Sequence, residues 1–475
     1  MINETPAERA DWAILVYISA DNVLANFAVE SLKQLKRAAC AKDGDRVEVV
    51  AQVDANGEIP TRRYRFLGTE DINSPIAADE KLLGSDRLHV ADPSNLKDFV
   101  DWASIDPRTS QPNAAHYCLF LWGHGVELLL DEDDRLRTGT ETGARVNRRY
   151  LTPANLSKAL KDTQLKTTHK KSLDIIGLDA CSMSMVEVAS ELKGYADYMI
   201  ASQEDVPDQS FPYENILAGL RERTKDGVKK EPKDACRMIA ELYSSAFQDY
   251  IATPSSGVRA MTVSSLNLEK FDKIRGPLTK LSTDLLASKP NEAMRQAILV
   301  ARSESRDFVF GLFVDLSDFC EQLHKELESR QIDNSSLKDA CTEIREALKE
   351  DDGGYVLTNK ARKQRKEEQS CHGLSIYFPY QRDFDETEEF QVLRAKGGNN
   401  RPLKGGNNRP LKERIARIAE LEEDFEQLDE YKETGWRETG WTTFIKQGWS
   451  FILKNELLDQ HYSAKQIENN LLRAA

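Results

Sequence analysis

No apolar run in this chain approaches the ~18 residues that a bilayer-crossing helix requires; the longest, such as residues 12–18, have the length of a buried strand. The first eleven residues are polar and carry no apolar segment of the signal-peptide kind. The expectation is a cytoplasmic protein with no membrane partner. Positive charge is in deficit: 65 Lys and Arg stand against 79 Asp and Glu, a net of −14. Phosphate backbones are bound by Lys and Arg, so nucleic acid is not expected as a partner. Paired cysteines are missing too. The seven Cys are scattered, odd in number and include no CxxC. That argues against a disulfide framework and leaves a structural zinc without its usual ligand pairs. Most of these thiols read as small buried apolar groups. What is present is substantial: 40% of the 475 residues are apolar, which excludes global disorder. The length allows up to about three domains at roughly 150 residues each.

The first 265 residues alternate short apolar runs with helical stretches. Strands are predicted at 12–19 (WAILVYIS), 47–53, 116–122 (HYCLFLW), 173–178 (LDIIGL) and 198–201, with a peripheral hairpin strand at 63–67 and a last strand at 258–264. Helices are predicted at 23–39, 95–104, 153–165 and 185–193. Such alternation indicates an α/β fold with a mostly parallel central sheet flanked by helices. From 266 to 475 the pattern is mainly helical, with helices at 268–286, 292–303, 316–328 and 336–349 and a returning strand at 373–379. Five cations between Lys360 and Lys366 read as a docking patch or as a solvated loop or helix face. Residues 397–412 repeat GGNNRPLK in tandem; its turn and breaker residues mark an exposed loop.

Two strand ends carry reactive residue types. Behind HYCLFLW stands Gly123-His124-Gly125; behind LDIIGL stands Asp179-Ala180-Cys181-Ser182. Ligands of doubly wound sheets bind at that carboxyl edge, and flanking glycines allow close approach. A helix is expected straight after Cys181, with Ser184 and Glu187 spaced as a capping box; a nearby helix N-terminus would favour the thiolate. On neighbouring parallel strands, His124 and Cys181 would supply an imidazole and a thiol for acyl transfer, with the amides of Gly125 and Cys181 as an oxyanion hole.

These blocks, with WAILVYISADNVL at 12, YMIASQEDVP at 198, FVDLSDF at 313 and GLSIYFP at 373, resemble the clostripain family of cysteine peptidases, of the caspase-like clan. The resemblance covers most of the chain. It implies a caspase-like catalytic domain at 1–265, followed by a mainly helical region at 266–475 that contributes strand 373–379. It implies a dyad of His124 and Cys181 that cleaves protein or peptide substrates after Arg or Lys. Asp179 matches one family position for an acid that reads the P1 cation, and Asp208 is similar to a second. Around Asp208 this chain has Pro-Asp-Gln-Ser-Phe where the family has glycines; Asp205 and Glu204 are the alternatives.

In related enzymes the segment corresponding to 131–150 is cut to activate a zymogen. Here it holds Arg135, Arg137, Arg145, Arg148 and Arg149 as processing sites, open to the enzyme itself or to an activating protease. No cofactor or metal is expected. Some family members respond to calcium, but the acids at 131–134 lack EF-hand spacing. Two other readings stay open: a catalytically silent scaffold or adaptor, and a thiol amidase acting on a small substrate.

Overall fold

A strand apolar on both faces has to be covered on both faces, and residues 12–18 end at the middle of the largest sheet with almost no exposed surface. The computed structural model describes residues 9–20, 24–40, 47–55, 61–66, 76, 80–81, 92–126, 129–131, 150–223, 229–248, 260–288, 291–308, 312–363, 366–367, 371–378, 439–449 and 452. The chain divides into two compact units, residues 1–273 with 346–376 and residues 274–345 with 377–475.

In the first unit the chain runs through Ala10–Ala20 (β1), Ala25–Cys40 (α1), Val47–Ala55 (β2), Arg62–Phe66 (β3), Glu80–Lys81 (β4), Pro93–Ser104 (α2) and Ala114–Trp122 (β5). Three short strands follow, His124–Val126 (β6), Leu129–Asp131 (β7) and Tyr150–Leu151 (β8), and then Pro153–Lys161 (α3). Next come Leu173–Asp179 (β9), Val186–Leu192 (α4), Ala196–Ala201 (β10), Tyr213–Arg221 (α5), Pro232–Phe247 (α6) and Ala260–Asn267 (β11). After the second unit's helices the chain returns as Val356–Lys363 (β12) and Lys366–Glu367 (β13).

The ten-stranded sheet has the order β13-β12-β11-β10-β9-β5-β1-β2-β3-β4. Its five central strands, β10 to β2, are parallel, and antiparallel strands extend it on both sides. One face is buried under α1, α5 and α6, which cover Ile14, Val16, Phe120, Trp122 and Ile175. The opposite face meets α2, where Phe99 lies 5.6 Å from the Tyr17 ring. The predicted mostly parallel α/β sheet is therefore the observed one.

Two differences matter. β11 is not the last strand, because β12 and β13 lie outside it. Four of the five cations, Lys360, Arg362, Lys363 and Lys366, lie in β12 and β13 at this side of the sheet: Lys360 and Arg362 are half-buried, so β12 lacks a continuous apolar signal, and cations near a sheet edge discourage pairing with other chains. The capping box is also absent. The helix starts at Val186 without a side-chain cap, and Ser184 Oγ instead donates to Gly373 O at 2.6 Å.

Among its described residues the second unit is mostly helical: Glu292–Glu304, Leu316–Ser329 and most of Asp272–Ser288 and Ser335–Ala347. Phe378 is ringed there by Phe319, Trp441 and Trp449 at 5.0, 5.2 and 4.7 Å. The expected strand at 373–379 is realised as Ser375–Tyr377. The loop expected at 397–412 lies outside the described residues.

Candidate active site

Parallel pairing of β5 with β9 places Trp122 opposite Asp179, so the two reactive segments leave the sheet side by side. Gly123 N–H donates to Asp179 O at 3.3 Å, tying the strand ends together. His124 opens β6, which folds back on β7 with His124 opposite Asp131. At Gly125 the main chain presses on the Cys181 turn: a Cβ there would stand 2.2 Å from Cys181 O and 2.6 Å from Cys181 N. Only a residue without a side chain fits this approach. It sets His124 one residue from a main-chain contact with Cys181, and both residues are half-buried. Both residues named for an oxyanion hole, Gly125 and Cys181, take part in this contact.

The turn after Cys181 is held in an unusual conformation. Ser182 has φ +58°, a left-handed backbone that costs a residue with a side chain some strain. Its N–H donates to Glu204 O at 3.1 Å, and Ser184 N–H donates to Ser202 O at 2.8 Å. The 202–204 turn is fastened in turn to β11, where Thr262 Oγ1 accepts from Gln203 N at 2.7 Å and Glu204 N at 3.2 Å. Ser375 N–H and Oγ both donate to Ser184 O at 2.9 Å. Sequence reasoning missed these braces, because each joins residues far apart in the chain.

Val206 N–H donates to Cys181 Sγ at 3.4 Å. Burial pushes the thiol up to about 12, and the nearby carboxylate of Asp205 adds to the rise, ahead of Asp179 and Asp208. The expectation of a thiolate favoured by a helix N-terminus is thus reversed. The helix begins five residues beyond Cys181, and burial together with the nearby acids acts against the thiolate.

Asp179, the last residue of β9, is buried; its Oδ2 accepts Phe211 N–H at 2.8 Å. Burial holds its carboxyl well above the usual range. Asp208 is exposed, as is Asp205, and Glu204 is half-buried. Asp179 and the thiol are therefore neighbours, whereas Asp208 does not join Asp179 in the interior, and Asp205 acts on the sulfur more strongly than Asp208 does. Arg135, Arg137, Arg145, Arg148 and Arg149 lie outside the described residues, as do three of the four acids at 131–134. The ends of that segment do meet, with Asp131 paired to Tyr150. Among the described residues no three His, Cys, Asp or Glu gather as a metal ion would require.

A family model, that of the clostripain family, matches residues 16–449. Clostripain of Hathewaya histolytica is 22% identical, over 77% of this chain and 74% of that protein. The X-ray structure of an inactive zymogen C11 protease from Parabacteroides distasonis superposes with a TM-score of 0.55 at 19% identity, covering 82% of this chain and 96% of that one. A secreted C11 cysteine protease from Bacteroides thetaiotaomicron, solved with an irreversible peptide inhibitor, gives a TM-score of 0.53 at 17% identity, covering 82% and 97%.

Proposed function

Because the chain belongs to the clostripain family of cysteine peptidases and has the caspase-like fold, we propose that it is an endopeptidase cleaving after Arg or Lys by a His124–Cys181 dyad. The observation that supports this is the approach of Gly125, the residue after His124, to the Cys181 main chain. Cys181 Sγ forms a bond to the scissile carbonyl carbon as its proton passes to His124. The carbonyl oxygen takes the electron pair, and the amides of Gly125 and Cys181 stabilise it. His124 then gives the proton to the leaving amine as the C–N bond breaks. Water hydrolyses the thioester, and the thiol is restored.

Asp179 is the acid that reads the P1 cation. It is buried beside the nucleophile, and one carboxylate oxygen has no partner among the described residues. Burial favours its protonated form in the empty site; an arriving cation favours the carboxylate, which binds a basic side chain and repels an acidic one. Asp208 is the second acid, with Asp205 and Glu204 as the alternatives on the same turn.

The intact chain is a zymogen. A sulfur raised to about 12 and capped by Val206 is a poor nucleophile, because thiolate is the reactive form. Cleavage in 131–150, by the enzyme itself or by another protease, frees the segment that leads from the β6–β7 hairpin into β8. The test uses fluorogenic peptides ending in Arg, Lys or Asp, with intact and nicked chain. Nicked wild type is expected to cleave the Arg and Lys peptides only, and Cys181→Ala and His124→Ala to lose this activity. Turnover of none of them by nicked protein, or equal turnover by intact and nicked chain, counts against the reading.

A further inference from the structure

Two turns flank the sulfur, the one that follows Cys181 and the one at 202–206, and the second reaches it: Val206 N–H donates to Cys181 Sγ at 3.4 Å. Such a donor offsets part of what burial does to the thiolate, so it does not make the sulfur less acidic. Its effect is steric: a lone pair directed at an amide is not open to a carbonyl carbon.

Both turns are tied to a third segment, 371–375, which lies 170 residues beyond Gln203 at the point of contact. Gly373 N–H donates to Gln203 Oε1 at 2.9 Å, and Gly373 O accepts from Ser184 Oγ at 2.6 Å. One residue thereby joins the two turns through its own main-chain donor and acceptor. Ser375 adds its N–H and Oγ to Ser184 O, each at 2.9 Å. Gln203 and Ser184 are 0% exposed and Ser375 1%, so water does not compete for these bonds.

The segment is itself anchored from the sheet. Gly373 has φ +92°, a conformation that favours glycine, and a Cβ there would stand 2.8 Å from Ser264 Oγ of β11. Ser264 Oγ donates to Asn359 Oδ1 at 3.0 Å, and Asn359 Nδ2 donates to Cys371 O at 2.7 Å. The 202–206 turn has a buried root and a tip near the surface: Ser202 and Gln203 are buried, Glu204 and Val206 half-buried and Asp205 exposed. Few packed atoms resist displacement of such a tip; the polar bonds at its root do.

We propose that Gln203 and Ser184 are positioning residues of an autoinhibitory clasp: through Gly373 they hold the 202–206 turn, and with it the Val206 N–H, on the sulfur of the intact chain. This rests on the zymogen reading above and adds the residues that keep the intact chain latent. In the active enzyme the Gln203–Gly373 bond parts and the tip leaves the sulfur.

The test follows Cys181 rather than peptide turnover. Iodoacetamide labels the intact chain at pH 8, and peptide mass mapping gives the rate at Cys181 for wild type, Gln203→Met, Gln203→Glu and Tyr117→Phe. Gln203→Met removes the acceptor and is expected to raise the rate about 10-fold, the scale on which one buried hydrogen bond resists local opening. Gln203→Glu keeps an oxygen for the Gly373 N–H and is expected to stay within about twofold of wild type. Tyr117→Phe loses buried hydroxyl bonds to Ser104 O and Asn113 Oδ1, both at 3.1 Å, near the start of β5 and away from both turns; it should react as wild type does. A rate unmoved or lowered in Gln203→Met, the same rise in both Gln203 variants, or an equal rise in Tyr117→Phe overturns the inference, 371–375 then being a permanent brace. Hydrogen exchange on wild type gives a second readout: the Gly373 amide is expected to exchange about 10-fold faster or more once the chain is nicked. Equal peptide turnover by intact and nicked wild type overturns the zymogen reading and this inference together. Turnover that appears only after nicking, with Gly373 as protected as before, overturns this inference alone, even where a variant fails to fold.

Discussion

Cys181 and Asp179 stand two residues apart, and burial pushes both in the same direction, toward the protonated form. For the thiol this has a kinetic consequence. With the sulfur raised to about 12, alkylation of Cys181 by iodoacetamide in the intact chain should climb about 10-fold per pH unit from pH 7 to 9.5. It should show no plateau near the ~8.5 of a free thiol. Peptide mass mapping of the labelled residue checks this, and a plateau near 8.5 would contradict it. For Asp179 the consequence is thermodynamic. Its folded-state carboxyl lies above the ~3.9 of an unfolded chain, so the folded protein keeps a proton that the unfolded one releases. The stability it contributes is complete below the unfolded value and is lost as pH rises toward the folded one. Asp179→Asn should therefore raise the melting temperature at neutral pH by roughly 2–4 °C, with the gain vanishing toward pH 4. Scanning calorimetry at the two pH values decides, and a variant less stable than wild type at neutral pH would refute the argument.

At the scale of elements, the site depends on two close fits between segments distant in the chain. The first is Gly125 against the Cys181 main chain. A methyl there would meet backbone at 2.2 Å, and backbone yields less readily than a side chain. Gly125→Ala should cost about 100-fold in kcat/KM, the scale of a displaced catalytic group, while far-UV circular dichroism stays unchanged. The second is Thr262, whose hydroxyl holds the 202–204 turn through two amides. Thr262→Val removes the acceptor that these two amides share, while Glu204 N–H keeps Ser202 Oγ at 3.1 Å, at a cost of about 1 kcal/mol in urea unfolding; Thr262→Ser should recover most of it. The strands bearing the site were legible in sequence because each is a continuous apolar run, and β5 and β9 begin within two residues of the predicted positions. β12 was not legible: Lys360 and Arg362 read as solvated, and a half-exposed edge strand does carry such residues.

At the scale of the whole molecule, the sheet order constrains what a cut in 131–150 would do to the chain. A cut between β7 and β8 separates β1, β2 and β5 from β9, β10, β11 and β12, yet β5 remains paired with β9 along five residues. The fragments thus share one sheet and its buried core. Nicked protein should elute from a sizing column at the volume of the intact chain and separate only in denaturant; fragments that part in native buffer would refute this.

By itself, the sequence determined the parallel α/β core and the position of His124 and Cys181 at strand ends, because apolar periodicity and the residues that interrupt it are local properties. The tertiary structure alone decided that β5 and β9 are neighbours, that Gly125 touches the Cys181 main chain, and that the thiol is raised rather than lowered. It also decided that Asp179 is buried and accepts the N–H of Phe211, 32 positions further along the chain. Such outcomes depend on which distant segments meet and how much water they exclude, and no local pattern of residues encodes either.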